Sequence, residues 1–208
     1  MKAYRVNNIF YSLQGEGYNT GRAAVFVRFS GCNLRCPFCD TEFDSFQEMT
    51  ADEVISVIGK YTSRFVVLTG GEPTLQVDEA FVDLLHRHGY EVAMESNGMR
   101  SAPPNIDWLT ISPKVPKEQV LWSREKKKSD AKLPDEWKVI FDGQCNPEDF
   151  IYPFASCPSP HAPLLYLQPC DTGDEERNVA ITAACVDYIK RHPEWRLSLQ
   201  THKLIGIE

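Results

Sequence analysis

The feature that most constrains the fold of this chain is a series of seven short, nearly continuous apolar runs. Runs of this kind are typical of strands in a parallel sheet that is covered by helices. Helical patterns lie between the runs, and strands that alternate with helices predict βα units joined in one parallel sheet. The predicted strands are Ala24–Phe29, Phe65–Thr69, Tyr90–Glu95, Trp108–Ser112, Trp137–Phe141, Leu164–Gln168 and Trp195–Gln200.

Capping signals mark the helices between these strands. Thr50 and Glu53 have the spacing of a capping box at the start of one helix. Asp78 is a candidate N-cap for a second helix, which Gly89 ends. The longest predicted helix is Asp174–Arg191, which carries an apolar stripe.

The length of the chain limits how many βα units it can form. A complete (β/α)8 barrel typically needs about 250 residues, so 208 residues favour a single α/β domain with an incomplete TIM-like barrel over residues 1–208. A doubly wound open sheet remains an alternative, because periodicity does not separate the two folds. In both folds ligands bind at the carboxyl ends of the strands. The motifs GGEP, ESNG, SPK, QPCD and QTH each follow a predicted strand, so we expect one site there.

Composition excludes several classes of partner. A net charge of −7 argues against nonspecific nucleic-acid binding, which needs a basic surface. We find no apolar stretch long enough for a signal-peptide core or a membrane span. The four cysteines outside the cluster loop are scattered and form no paired framework, which favours the reducing cytoplasm. They are Cys145, Cys157, Cys170 and Cys185.

Three further cysteines lie close together in the predicted cluster loop, residues 30–41. Cys32, Cys36 and Cys39 have the spacing C-x3-C-x2-C. In the usual ferredoxin-type site a [4Fe–4S] cluster has one thiolate on each of its four irons. Three thiolates would leave one iron open to a substrate or cofactor, so the spacing indicates chemistry at a cluster. The alternatives are a structural zinc site, which normally has four protein ligands, and unrelated buried cysteines.

A polar, proline-bounded segment at residues 115–134 is predicted to be an exposed insertion. Its run Lys126–Lys128 is either a solvated loop or a docking surface for an acidic electron donor.

The chain carries the motif CNLRCPFC followed by TGGEP, and in this it resembles the radical S-adenosylmethionine (SAM) superfamily. Five further motifs narrow the resemblance to the 7-carboxy-7-deazaguanine synthases: LQGEG, CDT, ESNG, SPK and QTHK. The resemblance implies a homodimer of incomplete barrels of the radical SAM type. It also implies a [4Fe–4S] cluster, SAM, Mg2+ and an external one-electron donor such as flavodoxin. The implied lyase reaction converts 6-carboxy-5,6,7,8-tetrahydropterin into 7-carboxy-7-deazaguanine and ammonia, for queuosine precursor biosynthesis.

The same resemblance implies a role for individual residues, without a catalytic side chain of the protein itself. Cys32, Cys36 and Cys39 would hold the cluster, and Thr41 would coordinate Mg2+. The residues implied to bind SAM are Gly71, Glu95, Asn97, Ser112, Pro113, Lys114, Gln168, Pro169, Cys170 and Asp171. Those implied to bind substrate are Leu13, Gln14, Gly15, Arg28, Thr69, His202 and Glu208, the last two in a substrate-capping tail over residues 201–208.

Some of these residues have competing interpretations. Arg28 lies within an apolar run, where an arginine is rarely buried without a partner. A substrate carboxylate would match its guanidinium in a bidentate pair, and a structural ion pair with Glu16 or Asp40 is the alternative. His202 could instead be a core histidine with satisfied hydrogen bonds.

Two other functions remain open at this point. A glycyl-radical activating enzyme has the same cysteine spacing, but its substrate is a protein. An electron-transfer or binding module would carry the cluster without SAM chemistry. Gln14, Arg28 and His202 suit a small polar ligand and favour the synthases.

Overall fold

The computed structural model describes residues 2–37, 39, 41–42, 44–119, 132–152 and 162–208. Most of the predicted insertion, including Lys126–Lys128, lies outside the described residues, as do Asp40 and Cys157.

In the described part of the chain, nine strands form one open sheet. Six of the seven predicted strands are confirmed, and the seventh, predicted as Trp195–Gln200, is a strand only over Trp195–Leu197. The strands are β1 Ala3–Leu13, β2 Ala23–Phe29, β3 Gln47–Thr50, β4 Phe65–Gly70, β5 Glu91–Ser96, β6 Trp108–Ile111, β7 Glu136–Phe141, β8 Leu164–Pro169 and β9 Trp195–Leu197. Their order in the sheet is β3-β1-β2-β4-β5-β6-β7-β8-β9. β1 is antiparallel to both of its neighbours, and every pair from β2 to β9 is parallel.

The three predicted helices are confirmed together with their caps. They are α1 Ala51–Ile58, α2 Glu79–Arg87 and α3 Glu175–Arg191, and a fourth short helix, α4, covers Thr201–Ile205. Thr50 and Glu53 form the capping box of α1, in which the Glu53 carboxylate accepts from Thr50 N at 2.7 Å. Asp78 caps α2 by accepting from Phe81 N at 3.0 Å. Caps of this type each stabilise a helix by about 1 kcal/mol.

The longer helices pack on one face of the sheet. α1 and α2 bury Ile58 and Phe81 against strand residues such as Leu68 and Met94. α3 buries Cys185 against Leu167 on the same face, since the pairing register connects these strand positions. Leucine, isoleucine and phenylalanine side chains buried in this way each contribute about 1.5–3 kcal/mol. This face is therefore the main core.

The opposite face has two layers. Near the amino ends of the strands lies a small apolar cluster that includes Phe26 and Val67. Toward the carboxyl ends the same face becomes polar, and its side chains open into a cavity. The polar residues of this layer are Arg28, Thr69, Glu95, Lys138 and Gln168.

The order of the strands decides between the two folds left open by the sequence. From β2 to β9 the parallel strands succeed one another across the sheet without a reversal. A doubly wound sheet reverses its order and carries helices on both faces, whereas here α1, α2 and α3 share one face. The structure is an incomplete barrel.

Three elements were missed by the sequence prediction. β1 and β3 form an antiparallel edge, and α4 lies within the predicted capping tail. In the described residues, no helix is long and apolar enough to cross a membrane.

Candidate active site at the strand ends

A cavity of about 580 Å3 lies where the carboxyl ends of the parallel strands meet. It brings together residues predicted from separate motifs, and all seven predicted substrate-binding residues line it. The three cysteines of the cluster loop and Thr41 also line it. Of the ten residues predicted to bind SAM, Gly71, Glu95, Asn97, Ser112, Lys114 and Gln168 line the cavity, whereas Pro113, Pro169, Cys170 and Asp171 lie outside its lining.

The cluster loop is joined to the end of β4 by backbone hydrogen bonds. Gly71 N donates to Phe29 O at 2.8 Å, and Glu72 N donates to Gly31 O at 2.9 Å. A side chain at Gly71 would place its Cβ 2.1 Å from Gly31 O. The glycine therefore permits a close approach that holds the start of the cysteine loop against β4.

We predict that Gly71→Ala destabilises this junction. The clash is with backbone, so relief requires a shift of the loop or of β4, at a cost of about 2 kcal/mol in the free energy of unfolding. The measurements are the urea midpoint of the metal-free protein and the iron bound per chain after reconstitution. Gly59→Ala is the control. Gly59 has a helical φ of −63°, and the atom nearest to a Cβ at this position would be Ile55 O, at 3.1 Å. Wild-type values for Gly71→Ala would contradict the prediction.

The cysteine loop brings three thiols to the cavity, and their spacing suits a cluster. No three His, Cys, Asp or Glu side chains within the described ranges converge as ligands of one metal ion. A cube binds each thiolate through a different iron, so its cysteines need not meet at one point. Burial raises the pKa of the Cys32 and Cys36 thiols. Cluster assembly must therefore displace their protons.

A residue that the sequence analysis missed joins the cluster loop to β5. Glu72 is fully buried, and its carboxylate accepts from Thr74 N at 3.0 Å, from Ser96 Oγ at 2.9 Å and from Asn97 N at 2.8 Å. Asn97 in turn donates to Asn33 Oδ1 at 2.8 Å. Glu72 thus fixes the position of Asn97 at the edge of the cavity. The signal in the sequence was its place between the glycine pair and the proline of GGEP.

Arg28 lies on the cavity wall over an aromatic pair. Its guanidinium carbon is 4.4 Å from the centre of the Phe10 ring, which stacks on Phe26 at 4.9 Å. Its ion-pair partner is Glu208 at 3.5 Å. The alternative of an ion pair with Glu16 is wrong, because Glu16 pairs with Lys138.

The C-terminal tail lies across the mouth of the cavity. Thr201 N and Oγ1 both donate to Gly15 O, at 3.0 and 2.9 Å. His202 packs so closely on Gly15 that a Cβ there would lie 2.2 Å from its Nδ1. At the chain end, Asn8 Nδ2 donates to the Glu208 carboxylate at 2.9 Å. The tail therefore joins the LQGEG loop to β1 and to the wall around Arg28.

Buried charges form the floor of the cavity opposite Arg28. Lys138, only 3% exposed at its side chain, pairs with Glu16 and, at 3.3 Å, with Glu95. Burial alone would raise the pKa of Glu16, but the charge and hydrogen bond of Lys138, with a bond from Gln200, lower it to about 2. Burial acts to lower the pKa of Lys138, but Glu16 and Glu95 raise it above its usual value. Glu16 and Lys138 are therefore both ionised at neutral pH.

A second lysine faces the same space nearer the cysteines. Lys114 donates to Ser112 Oγ at 2.7 Å. Burial and, next, the charge of Lys138 lower its pKa. An anionic group beside Lys114 would be stabilised by the charge of this lysine.

Thr41 lies at the cavity mouth beside an ordered carboxylate. Glu42, which also lines the cavity, accepts from Asp44 N at 2.6 Å, from Ser45 N at 2.9 Å and from Asn7 Nδ2 at 2.7 Å. Hydrogen bonds from Ser45 lower the pKa of Glu42 to about 2. Oxygen donors of this kind fit Mg2+, which prefers oxygen ligands.

A shallower groove of about 740 Å3 runs along α3. Asp171 is the one predicted site residue in its lining, where it pairs with Lys203 at 2.8 Å. The chemistry-bearing residues converge in the cavity at the strand ends instead.

Comparisons with known proteins agree with this geometry. A family model described as the radical SAM superfamily matches residues 26–133. The chain is 47% identical to a 7-carboxy-7-deazaguanine synthase of Bacteroides thetaiotaomicron over 98% of both chains, and 38% identical to one of Bradyrhizobium diazoefficiens over 99% of both. Among solved structures it resembles the crystal structure of QueE from Escherichia coli, with a TM-score of 0.71, 28% identity, and coverage of 95% of this chain and 93% of that chain.

Proposed function

We propose that the cavity at the strand ends holds SAM and a carboxylated pterin side by side. The chain belongs to the 7-carboxy-7-deazaguanine synthase family of the radical SAM superfamily. The enzyme acts in queuosine precursor biosynthesis, and its radical SAM family implies a [4Fe–4S] cluster and SAM. The observation that carries the proposal is that one cavity is lined by the cysteine triplet, by SPK and ESNG residues and by all seven predicted substrate residues.

The reaction we assign is a lyase reaction on 6-carboxy-5,6,7,8-tetrahydropterin, which yields 7-carboxy-7-deazaguanine and ammonia. When bound, the cluster and SAM supply a carbon-centred radical that can remove a hydrogen atom beside the substrate carboxylate. The protein's own residues bind and orient. Arg28 offers a planar cation for the carboxylate, and Phe10 and Phe26 provide an apolar wall for the ring. The tail at His202 and Glu208 restricts access of water.

Two sets of residues support the placement of the cofactors. Cys32, Cys36 and Cys39 would hold the cluster, with Gly71 and Asn97 beside it for SAM. Ser112 and Lys114 extend this SAM surface along the end of β6. Pro113, Pro169, Cys170 and Asp171 would contribute by shaping the ends of β6 and β8.

Thr41 is our candidate ligand for Mg2+, which would supply positive charge for the substrate carboxylate. We expect Thr41→Ala to raise the Mg2+ concentration for half-maximal stimulation by about tenfold or more, since even outer-shell partners change metal affinity by this factor. The measurement is a Mg2+ titration of product formation together with the cluster absorbance, which should not change. Thr62→Ala, on the surface beside Tyr11, is the control. An unaltered Mg2+ dependence would exclude Thr41 as a ligand.

The remaining parts of the proposal concern the protein's surroundings. We propose a homodimer in the cytoplasm that receives electrons from a flavodoxin-like donor. The six cysteines among the described residues are free thiols, which fits a reducing compartment.

The decisive experiment is anaerobic incubation of the reconstituted protein with SAM, dithionite, Mg2+ and the carboxypterin, followed by mass spectrometry. We expect 7-carboxy-7-deazaguanine and ammonia. Cleavage of SAM without conversion of the pterin would favour an activating enzyme for a protein substrate. A fully loaded cluster with no SAM cleavage would favour an electron-transfer module.

A further inference from the structure

Lys138 is a buried charge for which the reaction described above has no use. It lies in the middle of β7, on the face that lines the cavity, and its side chain is 3% exposed. A buried ammonium is costly unless it is paired and hydrogen-bonded. Its two partners, Glu16 and Glu95, come from the LQGEG loop and from the end of β5. One lysine therefore connects two elements that border the substrate cavity.

Amide side chains hold the two carboxylates in fixed orientations. Glu16 Oε1 accepts from Gln168 Nε2 at 3.2 Å and from Gln200 Nε2 at 3.1 Å. Glu95 Oε1 accepts from Gln14 Nε2 at 2.9 Å. Because a carboxylate oxygen accepts two hydrogen bonds, Glu95 keeps one open position on each oxygen and Glu16 keeps one on Oε2.

The third hydrogen of the Lys138 ammonium finds no acceptor in the part of the chain that the structure describes. The group Glu16–Lys138–Glu95 thus presents hydrogen-bond acceptors on both sides of a donor. All three side chains line the same cavity. A matching ligand edge would carry N–H donors next to a carbonyl oxygen.

One edge of the proposed substrate has this pattern. The end of a carboxypterin away from its carboxylate carries a 2-amino group and N3–H as adjacent donors, which can pair with the two oxygens of one carboxylate, and O4 beside them as an acceptor for the ammonium. Arg28, the site proposed for the carboxylate, lies on β2, and Lys138 lies on β7 with three strands between them in the sheet. The two ends of the molecule can therefore reach the two sides of the cavity.

We propose that Lys138 is a specificity-determining positioning residue, which holds Glu16 and Glu95 so that they select the 2-amino-4-oxopyrimidine edge of the substrate. Glu95 is thereby assigned to the substrate and not to SAM, the role that the family resemblance implied. This inference rests on the proposed function. A ligand with oxygen in place of the 2-amino group would direct a carbonyl at a carboxylate and leave buried acceptors unpaired. Sites built to hydrogen-bond a substrate group reject analogues that lack it far more strongly than apolar pockets do.

The test compares 6-carboxy-5,6,7,8-tetrahydropterin with its deaminated analogue, the corresponding tetrahydrolumazine, as substrates of the reconstituted enzyme. We expect the wild type to prefer the amino compound in kcat/KM by about 10³-fold or more. In Lys138→Met the two carboxylates lose their counter-charge, so one takes up a proton and can donate to the 2-oxo group. The preference should fall below about tenfold, and Lys138→Arg should recover part of it.

Controls separate specificity from stability. Glu136→Gln removes another buried carboxylate of β7, which accepts from Tyr18 N and Thr110 Oγ1 and lies outside the cavity lining. It should lower the Tm and leave the preference unchanged. If Lys138→Met does not fold, Glu95→Gln decides the question, because its amide replaces one acceptor with a donor and should also reduce the preference.

An unchanged preference in folded Lys138→Met and in Glu95→Gln would overturn the inference, while normal turnover of the carboxypterin by the wild type would leave the proposed function standing. Absence of turnover of both compounds by the wild type would refute the proposed function, and this inference would fall with it.

Discussion

Cys36→Ala is expected to abolish both the iron–sulfur absorbance and the reductive cleavage of SAM. Cys36 lies between the other two thiols in the loop and lines the cavity with them. With three thiolates the protein holds three irons of a cube, and with two it would leave half of the irons without a protein ligand. The measurements are iron per chain, expected to fall from about four, and 5′-deoxyadenosine formed with dithionite.

The matched control for this substitution is Cys145→Ala. Cys145 is also partly buried, but its Sγ lies 3.7 Å from Ile140 O, and it is outside the cavity lining. Burial raises the pKa of this thiol to about 11, so it stays protonated and is a poor metal ligand. We expect full iron loading in Cys145→Ala. Stoichiometric zinc in the wild type, or an intact cluster in Cys36→Ala, would exclude the cluster assignment.

The central parallel strands could be predicted from the sequence because burial on both faces makes them apolar runs, whereas β9 buries only Trp195. β1 lacks this signal. Its sequence AYRVNNIFYSL alternates only in part, and the register shifts between Val6 and Asn8, so neither period extends over the whole strand. α4 has only five residues, too few to show a helical period. Antiparallel edges and short terminal helices depend on tertiary contacts rather than on local pattern.

The residues of the candidate site also fall into two groups, those that the sequence alone could identify and those that it could not. Residues within compact motifs, such as the cysteine triplet and SPK, could be found because their neighbours in sequence mark them. Lys138 could not be assigned a role, since its partners lie 122 and 43 residues away and meet it only through the register of the sheet. The one local signal was a lysine within the buried run WKVIF. For Arg28 the sequence predicted the need for a partner, but the partner in the structure, Glu208, is 180 positions away at the other end of the chain.

Arg28→Met is expected to lower kcat/KM for the carboxypterin by about 10²–10³-fold, mainly through KM. Arg28 is half-buried in the free protein, and once bound substrate covers it, loss of one member of the charge pair costs about 2–5 kcal/mol. Methionine keeps the apolar contact with the Phe10 ring and removes the cation. The substitution should leave SAM cleavage in the absence of substrate unchanged, since the predicted SAM-binding residues do not include Arg28. It should also leave the affinity for a tetrahydropterin without the 6-carboxylate unchanged, because that compound has no anion for Arg28.

Arg22→Met provides a control of the same chemistry outside the cavity. Arg22 also lies over a phenylalanine, 3.8 Å from the centre of the Phe65 ring, and it forms a two-point ion pair with Glu91 at 2.7 and 3.0 Å. Exposed pairs of this type contribute at most about 1 kcal/mol to stability. Arg22→Met should therefore change the Tm slightly and KM not at all. A wild-type KM in Arg28→Met, or an equal loss of affinity for the pterin without a carboxylate, would show that Arg28 does not bind the substrate carboxylate.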